Sequence, residues 1–296
     1  MKTLIIEIID AARLGELYTV SKFFTDTPDL VALGEGDIPS GFGKVFHTDE
    51  ILGANILNAL LDLIKDERYE LILLSSSTEG NSIASPLASF LSLPIISEVI
   101  GIEKDFIVKK PLYGGKALVT YKIKKTPIII TIRRNSFERE DLKGSSNTIP
   151  LELKDKPLEL LAEKEEKVEG VPLEEADIIV TGGRGIGAPE NFKMLRELAD
   201  LLKGAVGASR GAVDEGWVPP QMQVGQTGKI VAPNVYFAIG VSGASQHLAG
   251  ITNAKCVVAI NIDEEANIFK RANFGIVSDY RKIVPALIDV LREEGI

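Results

Sequence analysis

The residues best suited to chemistry lie between Thr181 and Tyr280, as short Gly-rich or polar clusters that each follow an apolar run. Ala176-Asp177-Ile178-Ile179-Val180-Thr181 leads into Gly182-Gly183-Arg184-Gly185-Ile186-Gly187. Backbone amides in such a strand-to-helix turn can approach a phosphate, which a helix N-terminus also favours. Gly183, Gly185 and Ala188 even satisfy G-x-G-x-x-A, but a glycine pattern alone is weak. No acidic residue ends the next strand to hold a ribose hydroxyl, which goes against NAD. Gly204-Ala205-Val206-Gly207-Ala208 runs instead into Ser209-Arg210. Residue chemistry leaves Arg210 three roles of equal weight: a grip on the 2′-phosphate of NADP, electronic tuning of a redox ring, or an ordinary surface arginine.

Gln223-Val224-Gly225-Gln226-Thr227-Gly228-Lys229 combines two glycines with amide and hydroxyl groups, which suits a loop laid along a polar ring edge. Lys229 is not the lysine of a phosphate-binding G-x-x-x-x-G-K-S/T loop, because Ile230 follows it and the glycine spacing fails. Gly240-Val241-Ser242-Gly243-Ala244-Ser245-Gln246-His247 is a second Gly/Ser-rich turn that opens a helix. Ser242 does not sit in a G-x-S-x-G elbow, so a hydrolase triad has little support. His247 and His47 are the two histidines and lie far apart in the chain, so neither has a histidine neighbour for a metal. Two further strand ends present Asn261 and Asp279, polar groups suited to hydroxyl or amide contacts of a dinucleotide.

Elements of an α/β protein must position these clusters. Leu4 to Ile6, Leu30 to Leu33, Leu71 to Leu74 and Ile95-Ile96 read as strands, with helices over Ala54 to Lys65 and Ile83 to Leu91. That alternation predicts parallel strands with crossover helices. Closely spaced strand candidates from Phe106 to Ile132 suggest an antiparallel extension, so the first sheet is expected to be mixed at one edge. A charged stretch between Leu153 and Glu175, including Glu163-Lys164-Glu165-Glu166-Lys167 and then Gly170, reads as a solvated linker. The expected domains are 1–170, with this linker at its end, and 171–296. In the second, strands at Ile178 to Val180, Ala205-Val206, Val235 to Ile239 and Val257 to Ile260 alternate with helices over Asn191 to Leu202 and Arg281 to Arg292. A doubly wound parallel sheet follows, with ligands at strand carboxyl ends.

Composition narrows the class. The chain has 296 residues, 45% hydrophobic and 25% charged, an ordinary globular balance. A net charge of −9 argues against nucleic acid or an anionic membrane as main partner. The single cysteine excludes an internal disulfide and a Cys-ligated cluster, and Cys256 in its apolar run reads as a buried strand thiol. The N-terminus is short and acidic for a signal peptide, and no run approaches the roughly 20 apolar residues of a membrane span, so a cytoplasmic location is expected.

In order and spacing these clusters resemble the α subunit of electron transfer flavoproteins. The match runs from about Val180 to Val290 through Gly182-Gly183-Arg184-Gly185, Val206-Gly207-Ala208-Ser209-Arg210, Gln223 to Lys229, Gln246-His247-Leu248-Ala249-Gly250 and Ala259-Ile260-Asn261. It is looser over Ser75-Ser76-Ser77, Pro94-Ile95-Ile96-Ser97 and Pro111-Leu112-Tyr113-Gly114-Gly115, and departs at Lys110 and Lys116, where the family has Arg and Asn. The resemblance implies an N-terminal Rossmann-like domain of the adenine nucleotide α-hydrolase type and a C-terminal FAD-binding domain. It implies a heterodimer with a β subunit, taking electrons from flavin dehydrogenases, such as acyl-CoA dehydrogenases of fatty acid β-oxidation, and passing them to a quinone oxidoreductase or another acceptor. By the same resemblance Arg210 lies against the isoalloxazine, Thr227 reaches its N5 edge, with Val224, Gly225 and Gln226 alongside, and His247 donates to its C2 carbonyl. Arg184, Ser209 and the turn Ser242, Gly243, Ala244, Ser245 and Gln246 hold the phosphates and ribityl chain. Asn261 and Asp279, with Tyr280 beside it, take the adenosine end.

Overall fold

The structure is a computed structural model that describes residues 1–113, 117–162, 171–174 and 176–295. Two compact units are distinguished, one of Met1–Leu112 with Ala117–Lys164 and one of Glu165–Ile296 with Tyr113–Lys116. The charged run from Glu163 to Lys167, Gly170, and the motif residues Gly114, Gly115 and Lys116 lie outside the described residues.

The first unit begins with β1 (Thr3–Ile8), α1 (Ala11–Ser21), β2 (Asp29–Leu33), β3 (Val45–Thr48), α2 (Gly53–Glu67), β4 (Leu71–Ser75) and α3 (Thr78–Leu91). It continues with β5 (Ile95–Val99), β6 (Gly101–Glu103), β7 (Ile107–Leu112), β8 (Ala117–Lys122), β9 (Ile128–Ile132) and β10 (Ile149–Pro150). Seven strands form one sheet in the order β10-β3-β2-β1-β4-β9-β5. Every pairing in it is parallel. Among the described residues the mixed edge expected from sequence is not found. β9 enters the sheet interior because Ile128-Ile129-Ile130-Thr131-Ile132 is buried throughout, as a strand covered on both faces must be. The antiparallel strands β6, β7 and β8 form a sheet of their own. This small sheet and α1 pack on one face of the large sheet, through Ile102, Val108, Leu14 and Leu17. Helices α2 and α3 cover the other, through Ile56, Leu60, Ile83 and Leu87.

The second unit runs β11 (Ile178–Gly182), α4 (Phe192–Leu201), β12 (Ala205–Ala208), α5 (Arg210–Asp214), β13 (Val235–Ile239), α6 (Ser245–Gly250), β14 (Cys256–Asn261), β15 (Phe274–Val277) and α7 (Tyr280–Glu293). Its five strands are parallel in the order β12-β11-β13-β14-β15, as expected for a doubly wound sheet. Phe192, Leu195 and Leu198 of α4 pack with Val284 and Ile288 of α7 on one face. Val224, Val231, Ile251 and Ile268 cover Tyr236 and Ala238 on the other. Cys256 opens β14 and is half-buried rather than buried, since only the strand interior is covered on both sides. No helix among the described residues is long and apolar enough to cross a membrane.

Candidate functional site

All five strands of the second sheet point the same way, so the clusters that follow them gather along one edge. The strand order reverses between β11 and β13, the place where open α/β sheets bind ligands. Main-chain hydrogen bonds join the segments there. Gly183 N donates to Ile239 O at 2.9 Å, and Gly185 N to Gly240 O at 3.0 Å. A Cβ on Gly183 would stand 2.1 Å from Gly240 O, so glycine is required for this approach. Of the amides expected to cradle a phosphate at the 182–187 turn, those of Gly183 and Gly185 are therefore engaged by Ile239 and Gly240, and those of Ile186 and Gly187 bond within the turn.

The free donors lie one segment further on. Among the described residues, the backbone N–H groups of Ser242, Gly243, Ala244, Ser245 and Gln246 meet no protein acceptor. The loop that carries them is held from both sides. Gly240 has a φ of +61°, and Gly243 a φ of +78° in a spot where a Cβ would fall 2.2 Å from Ile268 N. Asn261 Nδ2 donates to Val241 O at 2.9 Å from beneath.

Ser209 N donates to Gly182 O, which places Ser209 and Arg210 beside the end of β11. A Cβ on Gly211 would lie 3.4 Å from Arg184 Cβ, so Arg184 borders α5. The Arg210 side chain is 69% exposed and pairs with Asp214 at 3.2 Å, one turn along α5. The 223–229 loop lies next to it: Val224 N donates to Ala208 O at 2.9 Å and Gln226 N to Gln246 O at 2.8 Å. Within the loop Val224 and Gly225 are buried, whereas Gln226 and Thr227 are exposed. Thr227 Oγ1 accepts from Gln223 Nε2 at 3.0 Å. Lys229 anchors the loop through a 2.7 Å ion pair with Glu174.

His247 sits under this loop and is 6% exposed. Its Nε2 is 3.0 Å from the hydroxyl of Tyr236 on β13. Its Nδ1 is buried with no hydrogen-bonding partner among the described residues, as is Thr181 Oγ1 on the adjacent β11. Burial pushes the imidazole down to about 4, the Val224 main chain beside it pulling weakly the other way, so the ring is neutral near pH 7.

The structure thus brings Arg184, Ser209, Arg210, Val224, Gly225, Gln226, Thr227, Ser242, Gly243, Ala244, Ser245, Gln246 and His247 to one hydrogen-bonded edge. Asn261, Asp279 and Tyr280 adjoin it with side chains already engaged. Asn261 Oδ1 accepts from Asp263 N at 3.1 Å. Asp279 caps α7 and is pulled down to about 2 by Arg281. The Tyr280 hydroxyl donates to Ile186 O at 2.8 Å, tying α7 to the glycine turn. Sequence reasoning missed Tyr236 and Thr181, because a hydroxyl within an apolar strand run carries no local sign that it faces a functional ring.

An orphaned buried ring nitrogen beside five unbonded amides fits an elongated ligand with a polar ring at one end and phosphates along its length. Comparison with known proteins agrees. Residues 172–252 match the family described as electron transfer flavoprotein FAD-binding domain, and residues 47–176 match the electron transfer flavoprotein domain. The electron transfer flavoprotein subunit α of Mycobacterium leprae is 34% identical over 99% of this chain and 94% of its own length. That of Pseudomonas aeruginosa is 41% identical over 83% of this chain and 82% of its own. The mitochondrial subunit of Arabidopsis thaliana is 40% identical over 79% of this chain and 68% of its own. The chain belongs to the electron transfer flavoprotein α-subunit family, and its second unit carries the FAD-binding domain.

Proposed function

We propose that this chain pairs with a β subunit and acts as an electron carrier with no organic substrate of its own, its FAD lying along the edge formed by α5, the 223–229 loop and α6. FAD supplies the redox chemistry. Arg210 lies against the isoalloxazine, Thr227 reaches the N5 edge and His247 donates to the C2 carbonyl. The Ser242 to Gln246 amides, with Arg184 and Ser209, hold the phosphates and ribityl chain, and Asn261, Asp279 and Tyr280 border the adenosine end. The boundary of this FAD-binding region falls at 170/171.

The observation that carries the reading is the buried, unpartnered Nδ1 of His247. A neutral imidazole in a covered site, whose Nδ1 makes no well-formed hydrogen bond to the protein, is suited to a carbonyl on a bound ring. Reduction places negative charge around N1 and O2 of a flavin, so a nearby guanidinium and imidazole donor favour the reduced form. NADP as the ligand of Arg210 loses support, because the Gly183 and Gly185 amides that a dinucleotide glycine turn would offer are engaged by Ile239 and Gly240. Flavin dehydrogenases, such as acyl-CoA dehydrogenases, are the donors, and a quinone oxidoreductase or another acceptor takes the electrons.

The test is to purify the chain with its partner, record the visible spectrum and add an acyl-CoA dehydrogenase with its substrate. Flavin bleaching that requires the dehydrogenase is the expected result. Flavin that instead bleaches with NADPH alone would sink the carrier reading.

A further inference from the structure

The fully buried hydroxyl of Tyr236 is 3.0 Å from Nε2 of the His247 ring, whose other side lies beside the Val224 main chain. We propose that Tyr236 is a positioning residue: its hydroxyl donates to Nε2 of His247 and so keeps the ring proton on Nδ1, the nitrogen presented to the flavin. This rests on the donor role given to His247 above.

A neutral imidazole carries one proton, and the bond made by one nitrogen decides the state of the other. Burial raises Tyr236 above the usual phenol range, with Thr181 nearby pulling weakly the other way, so the phenol keeps its proton and has one to give. The ring nitrogen at 3.0 Å is a stronger acceptor than an alcohol oxygen. In the reverse arrangement Nε2–H would donate to the phenol oxygen, and both the phenol proton and the Thr181 hydroxyl beside it, which donates toward that oxygen, would have to turn. Nδ1 would then be a bare lone pair in a buried site, unable to serve a carbonyl.

The other histidine is an internal reference. His47 Nε2 is 3.0 Å from Gly34 O, an atom that can only accept, so His47 carries its proton on Nε2. The two histidines should therefore be opposite tautomers in one protein.

Two-bond proton–nitrogen correlation spectra of the full chain in its flavin complex, labelled with nitrogen-15 histidine, test this. Signals are assigned with His47→Gln. The expected wild-type pattern is Nδ1–H at His247 and Nε2–H at His47. In Tyr236→Phe the His247 proton should move wholly or partly to Nε2 and the flavin midpoint potential should fall. A tenfold loss of preference for the reduced flavin reads as about 30 mV. A wild-type His247 with its proton on Nε2 overturns the proposal, whether or not Tyr236→Phe folds. An unmoved tautomer in Tyr236→Phe, with a potential that falls in His247→Gln, removes the role of Tyr236 and leaves that of His247 standing. A switched tautomer with an unmoved potential in both variants overturns the flavin role of His247 instead.

Discussion

Both units gather the carboxyl ends of parallel strands around a point where strand order reverses, yet they put opposite chemistry there. In the first unit the reversal lies between β1 and β4, and Glu7, 3% exposed, sits at the end of β1. Its carboxylate accepts from Ser75 N at the end of β4 at 2.9 Å, from Ile8 N at 3.2 Å and from Arg13 Nη1 at 3.4 Å. In the second unit the reversal lies between β11 and β13, and glycines bring main chain against main chain with no acid between them. A buried carboxyl side chain, pushed up by burial against the pull of Ser75 and Arg13, fills the first crevice with the protein's own group. Backbone pairing closes the base of the second and leaves the next loop's amides open. The fold supplies the crevice, and a few residues decide whether it takes a ligand.

The largest expected effect is on the first crevice. Glu7→Ala should destabilise the chain by about 2 kcal/mol, because it strands Ser75 N in a covered site and leaves Arg13 with Glu79 alone as its carboxylate partner. Thermal unfolding should shift down while the flavin potential stays unchanged. A near-neutral Glu7→Ala would break the contrast.

In the second unit His247 links stability to pH. Burial lowers it from 6.5 to about 4, so the unfolded chain binds the proton first as pH falls. Its contribution is complete above about 6.5 and lost progressively down to about 4, up to about 3 kcal/mol in all. Denaturant titrations of the flavin-free chain at several pH values should show this slope, and His247→Gln should flatten it.

Gly183→Ala should cost about 2 kcal/mol and weaken FAD binding measured by fluorescence, since the added methyl meets Gly240 O. Gly211→Ala, with only ordinary contacts around it, should stay within about 0.5 kcal/mol. Equal losses would show that the close approach of the two loops is unimportant.

The smallest change in stability belongs to Arg210→Ala, under about 1 kcal/mol, because its exposed pair with Asp214 contributes little. Spectroelectrochemistry should nevertheless show a fall of tens of millivolts, at roughly 30 mV per 1.4 kcal/mol. Arg210→Lys should restore only part of it, since an ammonium lacks the planar contact.

Strands with dense apolar runs, β1, β2, β4, β13 and β14, are legible in the sequence because burial on both faces imposes that composition. The place of β9 is not, since partner choice depends on segments distant in the chain. Helix α1 escapes the periodicity reading because Gly15 and Glu16 interrupt its apolar stripe. Besides Leu14 and Leu17 it is fixed by Glu16, which accepts from Asn135 N and Ser136 N, more than a hundred residues away. The clusters of the site are legible because a parallel sheet delivers every strand end to one edge. What each backbone amide does there is not, because Gly183 and Gly185 find their acceptors at Ile239 of β13 and at Gly240 just after it.

The stitching of Gly183 and Gly185 to β13, Asn261 to Val241 and Tyr280 to Ile186 has a kinetic consequence. The Gly183 and Gly185 amides should exchange with solvent deuterium nearly as slowly as the sheet itself, because opening their segment requires opening its neighbours. A dinucleotide arriving at such an edge meets groups already in place, and little binding free energy is lost to ordering them.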